Sequence, residues 1–200
     1  MFSQPFPIAC VVLASGLGQR FGANKLLAQL GQQPLVQHIL DLTENIFGER
    51  VVVTRHQPIA DLCKQRGIAC LLHQQPYLND TIRLGTEYII SRQANIQGLL
   101  FATADQPLLK QDTLQRLCTS FCQQPDKIHR LYYRATPGNP VIFPLSLAAQ
   151  LQALPQDKGG SSLIKKYPEL VIKVQVQDKD ELFDVDTQED WLSLQRRWQP

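Results

Sequence analysis

A short segment near the start of the sequence combines glycines with two cationic side chains. The stretch LASGLGQRFGANK, residues 13–25, holds three glycines together with Arg20 and Lys25, directly after an apolar run. Glycines allow backbone N–H groups to approach an anion closely, and Arg and Lys neutralise that anion from flexible side chains. The spacing therefore predicts a loop that wraps phosphate groups, such as those of a nucleoside triphosphate.

Two familiar phosphate-binding loops do not fit this segment. The dinucleotide fingerprint G-x-G-x-x-G requires a glycine where the sequence has Phe21. A P-loop requires Gly, Lys and Ser or Thr in succession, whereas Gly22 and Lys25 are separated. The alternative to a phosphate-binding loop is a tight surface turn that has no binding role and carries two solvated charges.

Two later segments supply carboxylates. FATADQPLL, residues 101–109, leads an apolar run directly into Asp105, and Asp184 and Asp186 alternate along DELFDVDTQEDW, residues 180–191. Alternate residues of an extended segment point the same way. A strand-end carboxylate is the hard oxygen ligand that Mg²⁺ prefers, with phosphates and waters as further ligands. The alternatives are a turn or cap role for Asp105 and a helix-start role for Asp186.

The elements that would position these residues alternate along the chain. Apolar, β-branched runs predict buried strands, helical periodicity predicts helices between them, and this order is typical of a parallel sheet covered on both faces. Ligands of such sheets bind at the carboxyl ends of the strands. The predicted strands are 8–14, 50–54, 68–72 and 98–103, and the predicted helices are 34–46, 58–67 and 80–92.

The remaining third of the sequence has a more mixed pattern. Residues 129–144 predict two strands around a Pro-Gly turn, 170–176 another strand, and 187–198 a closing amphipathic helix. Thr187 and Asp190 have the spacing of a helix N-cap with an acidic third residue. No linker, repeat or low-complexity segment is recognised, so residues 1–200 are expected to form one domain.

Composition narrows the class of protein. The 200 residues are 44% hydrophobic and 19% charged, with a net charge of +2 and no basic tract, so neither disorder nor nucleic-acid binding is expected. The N-terminal MFSQPFP and the seven apolar residues after it are not expected to form a signal peptide or a membrane span. A cytoplasmic protein is predicted, its five cysteines reduced. Single, scattered histidines give covalent catalysis no support.

The glycine-rich segment resembles the signature L-A-x-G-x-x-x-R-x-G-x-x-K of nucleotidyltransferases with a Rossmann-like fold, and more narrowly that of the molybdenum cofactor nucleotidyltransferase family. The resemblance implies a three-layer α/β fold of the nucleotide-diphospho-sugar transferase type, with a mostly parallel sheet and a small mixed C-terminal part. It also implies that Arg20, Lys25 and Asp105 are catalytic. NDTIRLG, residues 79–85, occupies the place of the family's base- and ribose-binding helix start. The implied nucleotide-binding residues are Leu13, Ala14, Ser15, Gly16, Gly18, Arg20, Lys25, Asn79, Asp80, Thr81 and Arg83.

The acidic segments resemble the family's A-D-Q-P and D-[IV]-D-T-P-E-D motifs, with Gln188 in place of the usual Pro. This resemblance implies Mg²⁺ held by Asp105, Asp184 and Asp186. GNPVIF, residues 138–143, and DKGGSSLI, residues 157–164, resemble the segments near the acceptor, with Ser161 where an Arg often stands. The implied acceptor-binding residues are Gly138, Asn139, Pro140, Lys158 and Gly159.

These motifs imply an Mg²⁺-dependent nucleotidyltransferase. The expected reaction transfers CMP, or another nucleoside monophosphate, to the phosphate of molybdopterin and releases pyrophosphate, in the service of a molybdenum hydroxylase. Ser15 favours CTP, because the guanylyl-transferring branch usually has Gly there. Two alternatives stay open: a sugar or polyol phosphate as acceptor, or a non-catalytic cofactor carrier or insertion chaperone of the same fold.

Overall fold

The computed structural model describes residues 5–18, 20–22, 24–93 and 95–198. Residues 1–4 of the N-terminal segment, and Gln19 and Ala23 of the glycine-rich loop, lie outside this description. The strands are β1 (Phe6–Ala14), β2 (Gln29–Leu30), β3 (Gln33–Pro34), β4 (Phe47–Thr54), β5 (Ala69–Leu72), β6 (Gly98–Thr103), β7 (Ile128–Tyr133), β8 (Thr136–Pro144) and β9 (Val171–Gln175). The α-helices are α1 (Leu35–Glu44), α2 (Gln57–Gln65), α3 (Leu78–Ser91), α4 (Gln111–Gln123), α5 (Ala148–Gln152), α6 (Ser161–Lys166) and α7 (Gln188–Arg197).

Seven of the strands form one sheet in the order β5-β4-β1-β6-β8-β7-β9, while β2 and β3 form a small hairpin. Strands β5, β4, β1 and β6 are parallel, β8 is antiparallel to both of its neighbours, and β9 is parallel to β7. Six strands therefore end at one edge of the sheet, and β8 begins there. Since Phe101 pairs with Val141, the start of β8 lies beside the end of β6.

The core consists of two apolar layers, one on each face of the sheet. Neighbouring residues of β1 point to opposite layers, Val12 to one and Val11 to the other. The first layer includes residues of α1, α2, α4 and α7, and the second includes residues of α3, α5 and α6. This burial on both faces explains why the strands are continuous apolar runs. The predicted three-layer, mostly parallel α/β architecture with a mixed C-terminal part is confirmed.

Several details differ from the sequence-based expectations. Helix α4 was not predicted, although Leu114, Leu117 and Phe121 recur at helical spacing and are fully buried. The turn between β7 and β8 is at Arg134 and Ala135, where Arg134 has φ +54, and not at Pro137–Gly138, which belong to β8. A Cβ atom on Gly138 would lie 2.7 Å from the Leu182 side chain, so this glycine serves close packing. Among the described helices, none has the length and apolar character needed to cross a membrane.

Candidate active site

A cleft of about 430 Å³ opens at the edge where six strands end. The ends of β1 and β6, the starts of α3 and α6, and the first half of β8 form its walls. The position agrees with the rule that ligands of parallel sheets bind at the carboxyl ends of the strands. The predicted site residues that line it are Leu13, Ser15, Gly16, Thr81, Asp105, Asn139 and Gly159.

Beside the cleft, two cations and two carboxylates form one ion-pair cluster. The Nζ atom of Lys25 donates to Asp105 Oδ2 at 2.7 Å and to Asp186 Oδ1 at 2.9 Å. Arg20 donates from a terminal nitrogen to the other oxygen of Asp186, at 2.8 Å. The predicted phosphate-binding cations and two of the predicted metal ligands therefore meet in space, although they come from three distant parts of the chain.

Local structure fixes Lys25 and Asp186 in these positions. Lys25 begins a one-turn 3₁₀ helix whose cap, Asn24, accepts a hydrogen bond from the Leu26 N–H at 3.2 Å. Asp186 directly precedes the capping box of α7, in which Thr187 and Asp190 bond reciprocally. The Asp186 N–H itself donates to Asp190 Oδ2 at 3.1 Å. The predicted cap spacing at the start of α7 is thus confirmed.

The charges of this cluster stabilise one another. Burial opposes the charged form of Lys25, but the ion pairs with Asp105 and Asp186 outweigh it and raise the pKa of the ammonium. Partial burial of Asp186 is likewise outweighed by Lys25 and Arg20, which lower the pKa of its carboxyl. The Lys25 side chain is only 8% exposed, whereas that of Arg20 is 70% exposed. Lys25 is therefore a fixed charge of the site, and Arg20 a charge at its rim.

Asp184 has the opposite electrostatic environment. Desolvation by neighbouring groups, followed by repulsion from Asp105 and Asp186, raises the pKa of Asp184 to about 7, although the residue is exposed at the surface and lies outside the cleft lining. The buried Val185 separates Asp184 from Asp186, and its N–H donates to the Asp105 carbonyl oxygen at 3.1 Å. This bond ties the acidic segment to the end of β6.

The donor set fits a divalent cation as a partial coordination sphere. Oδ1 of Asp105 is buried and has no hydrogen-bond partner among the described residues, and Asp184 is destabilised as an anion. However, no three acidic, His or Cys side chains of the described chain are arranged as a ready metal site, and the Lys25 ammonium lies between Asp105 and Asp186. The predicted ligands would hold Mg²⁺ only together with ligand phosphates and water, which is its usual mode of binding.

The first residues of the glycine-rich loop are held through their carbonyl groups. Arg55 Nε donates to the Ser15 carbonyl at 2.9 Å, and the His56 ring lies 2.9 Å from the Gly16 carbonyl. Within the described residues, the Gly16 and Leu17 N–H groups have no hydrogen-bond acceptor. Gly22 has φ +80, a conformation that other residues adopt only with strain. Free N–H groups beside two cations are the arrangement expected of an anion-binding loop.

A hydrogen-bond network centred on His73 connects this loop to β4 and to the segment after β5. The Gln75 N–H donates to His73 Nδ1 at 3.2 Å, which places the ring proton on Nε2. Nε2 then donates to Ser15 Oγ at 2.9 Å, and the Ser15 hydroxyl donates to the Val53 carbonyl at 3.1 Å. Burial and the nearby Arg55 lower the pKa of His73, so the neutral ring is favoured. The network fixes the Ser15 hydroxyl at the edge of the cleft.

The start of α3 contributes only some of its predicted residues to the cleft. Thr81 is buried and lines it, and Asn79 Oδ1 is buried without a partner among the described residues. Asp80 instead accepts from the Tyr77 N–H at 3.4 Å. Arg83 pairs with Asp80 and Glu87 along the helix and lies outside the cleft lining. Thr81 is therefore the predicted residue of this segment that a ligand in the cleft would meet, whereas Asn79, like Arg83, lies outside the lining.

The predicted acceptor-binding residues divide in the same way. Asn139 and Gly159 line the cleft, whereas Gly138 lies beneath it and accepts a hydrogen bond at its carbonyl from Arg130 Nε at 2.9 Å. Pro140 is buried within β8, and Lys158 is exposed outside the lining. The structure thus brings one residue of each predicted acceptor-binding set, Asn139 and Gly159, to the cleft.

Several lining residues were missed by the sequence analysis. Arg55 and Ala104 directly follow strands β4 and β6, so the strand-end rule could have found them. Arg130 lies within β7 and carried no recognisable sequence signal. The apolar part of the lining was also missed, because its side chains have the sequence pattern of ordinary core residues. These apolar lining residues are Leu26, Leu78, Ile82, Phe101, Val141, Phe143, Leu151 and Ile164.

Comparison with known proteins gives one family and a distant set of relatives. The sequence profile described as the MobA-like NTP transferase domain matches residues 10–171. Among curated proteins, the bifunctional protein GlmU of Solibacter usitatus is 33% identical over 134 residues, which is 60% of this chain and 27% of GlmU. The chain thus spans about a quarter of the length of the curated relatives that it matches.

Solved structures share the fold over nearly the whole chain. Rv0371c from Mycobacterium tuberculosis H37Rv superposes with a TM-score of 0.82 at 23% identity, covering 94% of this chain and 98% of that one. The structure of Rv0371c in complex with manganese gives a TM-score of 0.79 at 22% identity, covering 96% and 99%. At this level of identity the likeness establishes the fold.

Proposed function

The chain belongs to the MobA-like NTP transferase family, and from this premise we propose that it transfers CMP from CTP to the terminal phosphate of molybdopterin, releasing pyrophosphate. A nucleotidyltransferase is what the family membership supports. The choice of CTP rests on Ser15, and the choice of molybdopterin rests on the sequence motifs. The proposal includes one domain over residues 1–200, a cytoplasmic location and a molybdenum hydroxylase as the eventual recipient.

The observation that carries the proposal is the cluster in which Lys25 contacts Asp105 at 2.7 Å and Asp186 at 2.9 Å, beside a loop with free N–H groups. A triphosphate needs cations and N–H donors, and its metal needs carboxylate oxygens. Here both sets adjoin the end of β6. A cofactor carrier without catalysis has no need of such a combination, so the transferase is favoured over the carrier.

In the proposed reaction, the protein positions two phosphate groups that repel each other. The glycine-rich loop and Arg20 bind the β- and γ-phosphates, and Lys25 exchanges part of its ion pairing for phosphate oxygens. These cations stabilise the charge that builds on pyrophosphate as it leaves. No general base is required, because the attacking phosphate is already an anion. His73 and Arg55 keep the loop in position through Ser15.

Asp105, Asp184 and Asp186 are the residues that would hold the divalent cation. When bound, Mg²⁺ supplies Lewis-acid polarisation of the α-phosphate and neutralises charge on the triphosphate. The manganese complex of Rv0371c supports a divalent cation in this fold. The unpartnered Asp105 Oδ1 and the destabilised carboxylate of Asp184 are the features of this chain that favour it.

A test of the proposal measures pyrophosphate release by the purified protein with Mg²⁺, each of the four ribonucleoside triphosphates, and a panel of acceptors. Release that requires both CTP and molybdopterin is the expected result. Release with a sugar or polyol phosphate and not with molybdopterin would move the function to the alternative acceptor. Binding of a molybdopterin without any binding of Mg²⁺ and a triphosphate, measured by calorimetry, would restore the carrier hypothesis.

A further inference from the structure

Arg130 is a cationic residue of the cleft that no sequence motif indicated. It lies on β7, paired in register with Val141 of β8, and both residues line the cleft. Its Nε atom donates to the Gly138 carbonyl at 2.9 Å, which fixes the plane of the guanidinium. The described structure assigns no other hydrogen bond to the group, so its two terminal nitrogens remain available.

The surroundings of Arg130 lack a counter-charge. Among the described residues it forms no ion pair with a carboxylate, in contrast to Arg20 and Lys25. It is half-buried, and burial lowers the pKa of its guanidinium. Its register partner on β9 is another cation, Lys173, and both groups lie close to the Tyr132 ring, at 6.0 and 5.2 Å from its centroid. A half-buried cation without a counter-charge is stabilised when an anion binds to it.

Asn139 adds a neutral donor on the same wall. It lies near the start of β8 and lines the cleft, and its side-chain amide has no hydrogen-bond partner among the described residues. Arg130 and Asn139 belong to β7 and β8, whereas the triphosphate-binding cations belong to the segment after β1. Asp105, at the end of β6, lies in the lining between these two regions. The cleft therefore has two cationic regions separated by the strand that carries the carboxylate.

We propose that Arg130, assisted by the Asn139 amide, binds the phosphate of the acceptor and orients it for attack. The proposal rests on the proposed function for the identity of the reaction, but the anion site itself does not depend on which acceptor is used. A fixed guanidinium donates two parallel hydrogen bonds to a phosphate, which orients the phosphate as well as binding it.

The transfer of the nucleotidyl group to the acceptor phosphate needs no further reactant. An oxygen of the dianionic acceptor phosphate attacks the α-phosphorus of the nucleotide, and a new P–O bond forms. The bond between the α-phosphorus and the oxygen that bridges to the β-phosphate breaks, and that oxygen leaves with the electron pair as part of pyrophosphate. Arg130 stays protonated throughout and reduces the repulsion between the two phosphates as they approach.

The test uses inorganic phosphate as the probe and the full chain as the protein. Wild type, Arg130→Gln and Arg134→Gln are saturated with Mg²⁺ and the α,β-methylene analogue of CTP, and phosphate binding is measured by ³¹P NMR titration. Arg134 is the matched control, because it lies on the same hairpin, stacks on Tyr133 and does not line the cleft. We expect Arg130→Gln to weaken phosphate binding about tenfold or more and Arg134→Gln to leave it unchanged.

Two results would overturn the assignment: unchanged phosphate affinity in Arg130→Gln, or no phosphate binding to the wild-type nucleotide complex. If Arg130→Gln does not fold, Arg130→Lys replaces it, since that variant keeps the charge and loses the paired geometry. If the CTP analogue does not bind to the wild-type protein, that result contradicts the proposed function and not the assignment of Arg130. The phosphate titration is then made on nucleotide-free Lys25→Ala protein with and without Arg130→Gln, so that a difference in phosphate affinity between the two proteins reports the Arg130 region.

Steady-state kinetics with molybdopterin as the acceptor distinguish a role of Arg130 in acceptor binding from a purely structural role. Arg130→Gln should raise the KM for the acceptor about tenfold while the dissociation constant for CTP stays at its wild-type value. A purely structural role, through the hydrogen bond to Gly138, would disturb CTP binding and thermal stability together. Loss of CTP affinity in step with acceptor affinity therefore contradicts the proposal.

Discussion

The ammonium group of Lys25 lies 2.7 Å from the Asp105 carboxylate and joins the glycine-rich loop to the end of β6. The contact is largely shielded from water, with the two side chains 8% and 18% exposed. A triphosphate that reaches this place meets a cation whose present partners are the carboxylates that would bind its metal. Nucleotide and metal should therefore bind together, because the phosphates would replace Asp105 as the partner of Lys25 and the metal would replace Lys25 as the partner of Asp105.

Replacing Lys25 by Ala should weaken triphosphate binding. The substitution removes the buried cation and leaves Asp105 and Asp186 as neighbouring like charges, which also repel the phosphates. We expect the dissociation constant for CTP, measured by calorimetry with Mg²⁺, to rise about tenfold or more, in line with loss of a charged hydrogen bond. The control is Lys64→Ala, an exposed lysine of α2. Equal affinities of the Lys25 variant and wild type would contradict the phosphate role.

Asp105→Asn should slow turnover by about 10²-fold or more, as loss of a major electrostatic contact in an active site does. The fold should be retained, because Lys25 keeps its contact with Asp186 and the Asp105 backbone bond to Val185 is unaffected. Pyrophosphate release gives the rate and circular dichroism gives the fold, with Asp61→Asn on α2 as the surface control. Near-normal turnover in Mg²⁺ would remove Asp105 from the proposed metal site.

The raised pKa of Asp184 predicts pH-dependent metal binding. Because this carboxyl has a pKa of about 7 in the metal-free protein, a cation must displace its proton at pH 6 and finds it largely ionised at pH 8. The affinity for Mn²⁺, measured by electron paramagnetic resonance in the presence of CTP, should increase between these values. Asp184→Asn should reduce this increase. A pH-independent affinity in wild type would show that Asp184 does not contact the metal.

Two opposing contributions should determine how the stability of the protein changes as the solution is acidified through about pH 6.5. Burial lowers the pKa values of His38, His73 and His129, so the unfolded chain binds more protons than the native protein in this range. The contribution of Asp184 to stability has the opposite sign. Because its pKa is raised in the native protein, the native state binds a proton more readily than the unfolded chain between about pH 4 and 7. Urea unfolding at pH 7.5, 6.5 and 5.5 should therefore show that the stability of Asp184→Asn falls more steeply on acidification than that of wild type. An equal pH dependence of stability in the two proteins would contradict the raised pKa of Asp184.

Gly85→Ala should destabilise the protein, against the usual helix preference. In an exposed helix this change would be favourable by about 1 kcal/mol. Here a Cβ atom would lie 2.4 Å from Val11 Cγ1 and 3.2 Å from Val53 Cγ2, so α3 must move away from the sheet. Overpacking of this kind costs about 1–3 kcal/mol. Thermal unfolding should show a lower Tm for Gly85→Ala than for Glu87→Ala on the exposed face, and an unchanged or higher Tm would contradict the packing argument.

Local patterns in the sequence were sufficient for the parallel part of the fold. Strands β1, β4, β5 and β6 are apolar runs because they are buried on both faces, so they are recognisable without tertiary information. The turn before β8 was misplaced because Pro137 and Gly138 are typical turn residues. In the structure, Gly138 leaves room for the Leu182 side chain and serves packing within β8 and not a turn.

The candidate site was predictable where residues follow strands and less so elsewhere. Asp105 and Ser15 could be placed because the carboxyl ends of parallel strands share one edge. The contacts of Lys25 with Asp186, 161 positions apart, depend on how α7 docks and could not be derived from spacing. Arg130 is an ordinary strand residue by sequence, and only the antiparallel β8 beside it brings it to the cleft.

The bond between Arg20 and Asp186 spans 166 positions of the chain, and Gln188 Nε2 also reaches back to the Phe21 carbonyl at 2.6 Å. During synthesis the glycine-rich loop therefore leaves the ribosome long before the acidic segment that neutralises its cations. Until that segment docks, Lys25 has only Asp105 as a partner and Arg20 lacks its partner Asp186, so a nascent chain cannot assemble the whole cluster. The ion-pair cluster is thus completed in one late event, when the segment that carries Asp186 docks against the finished sheet.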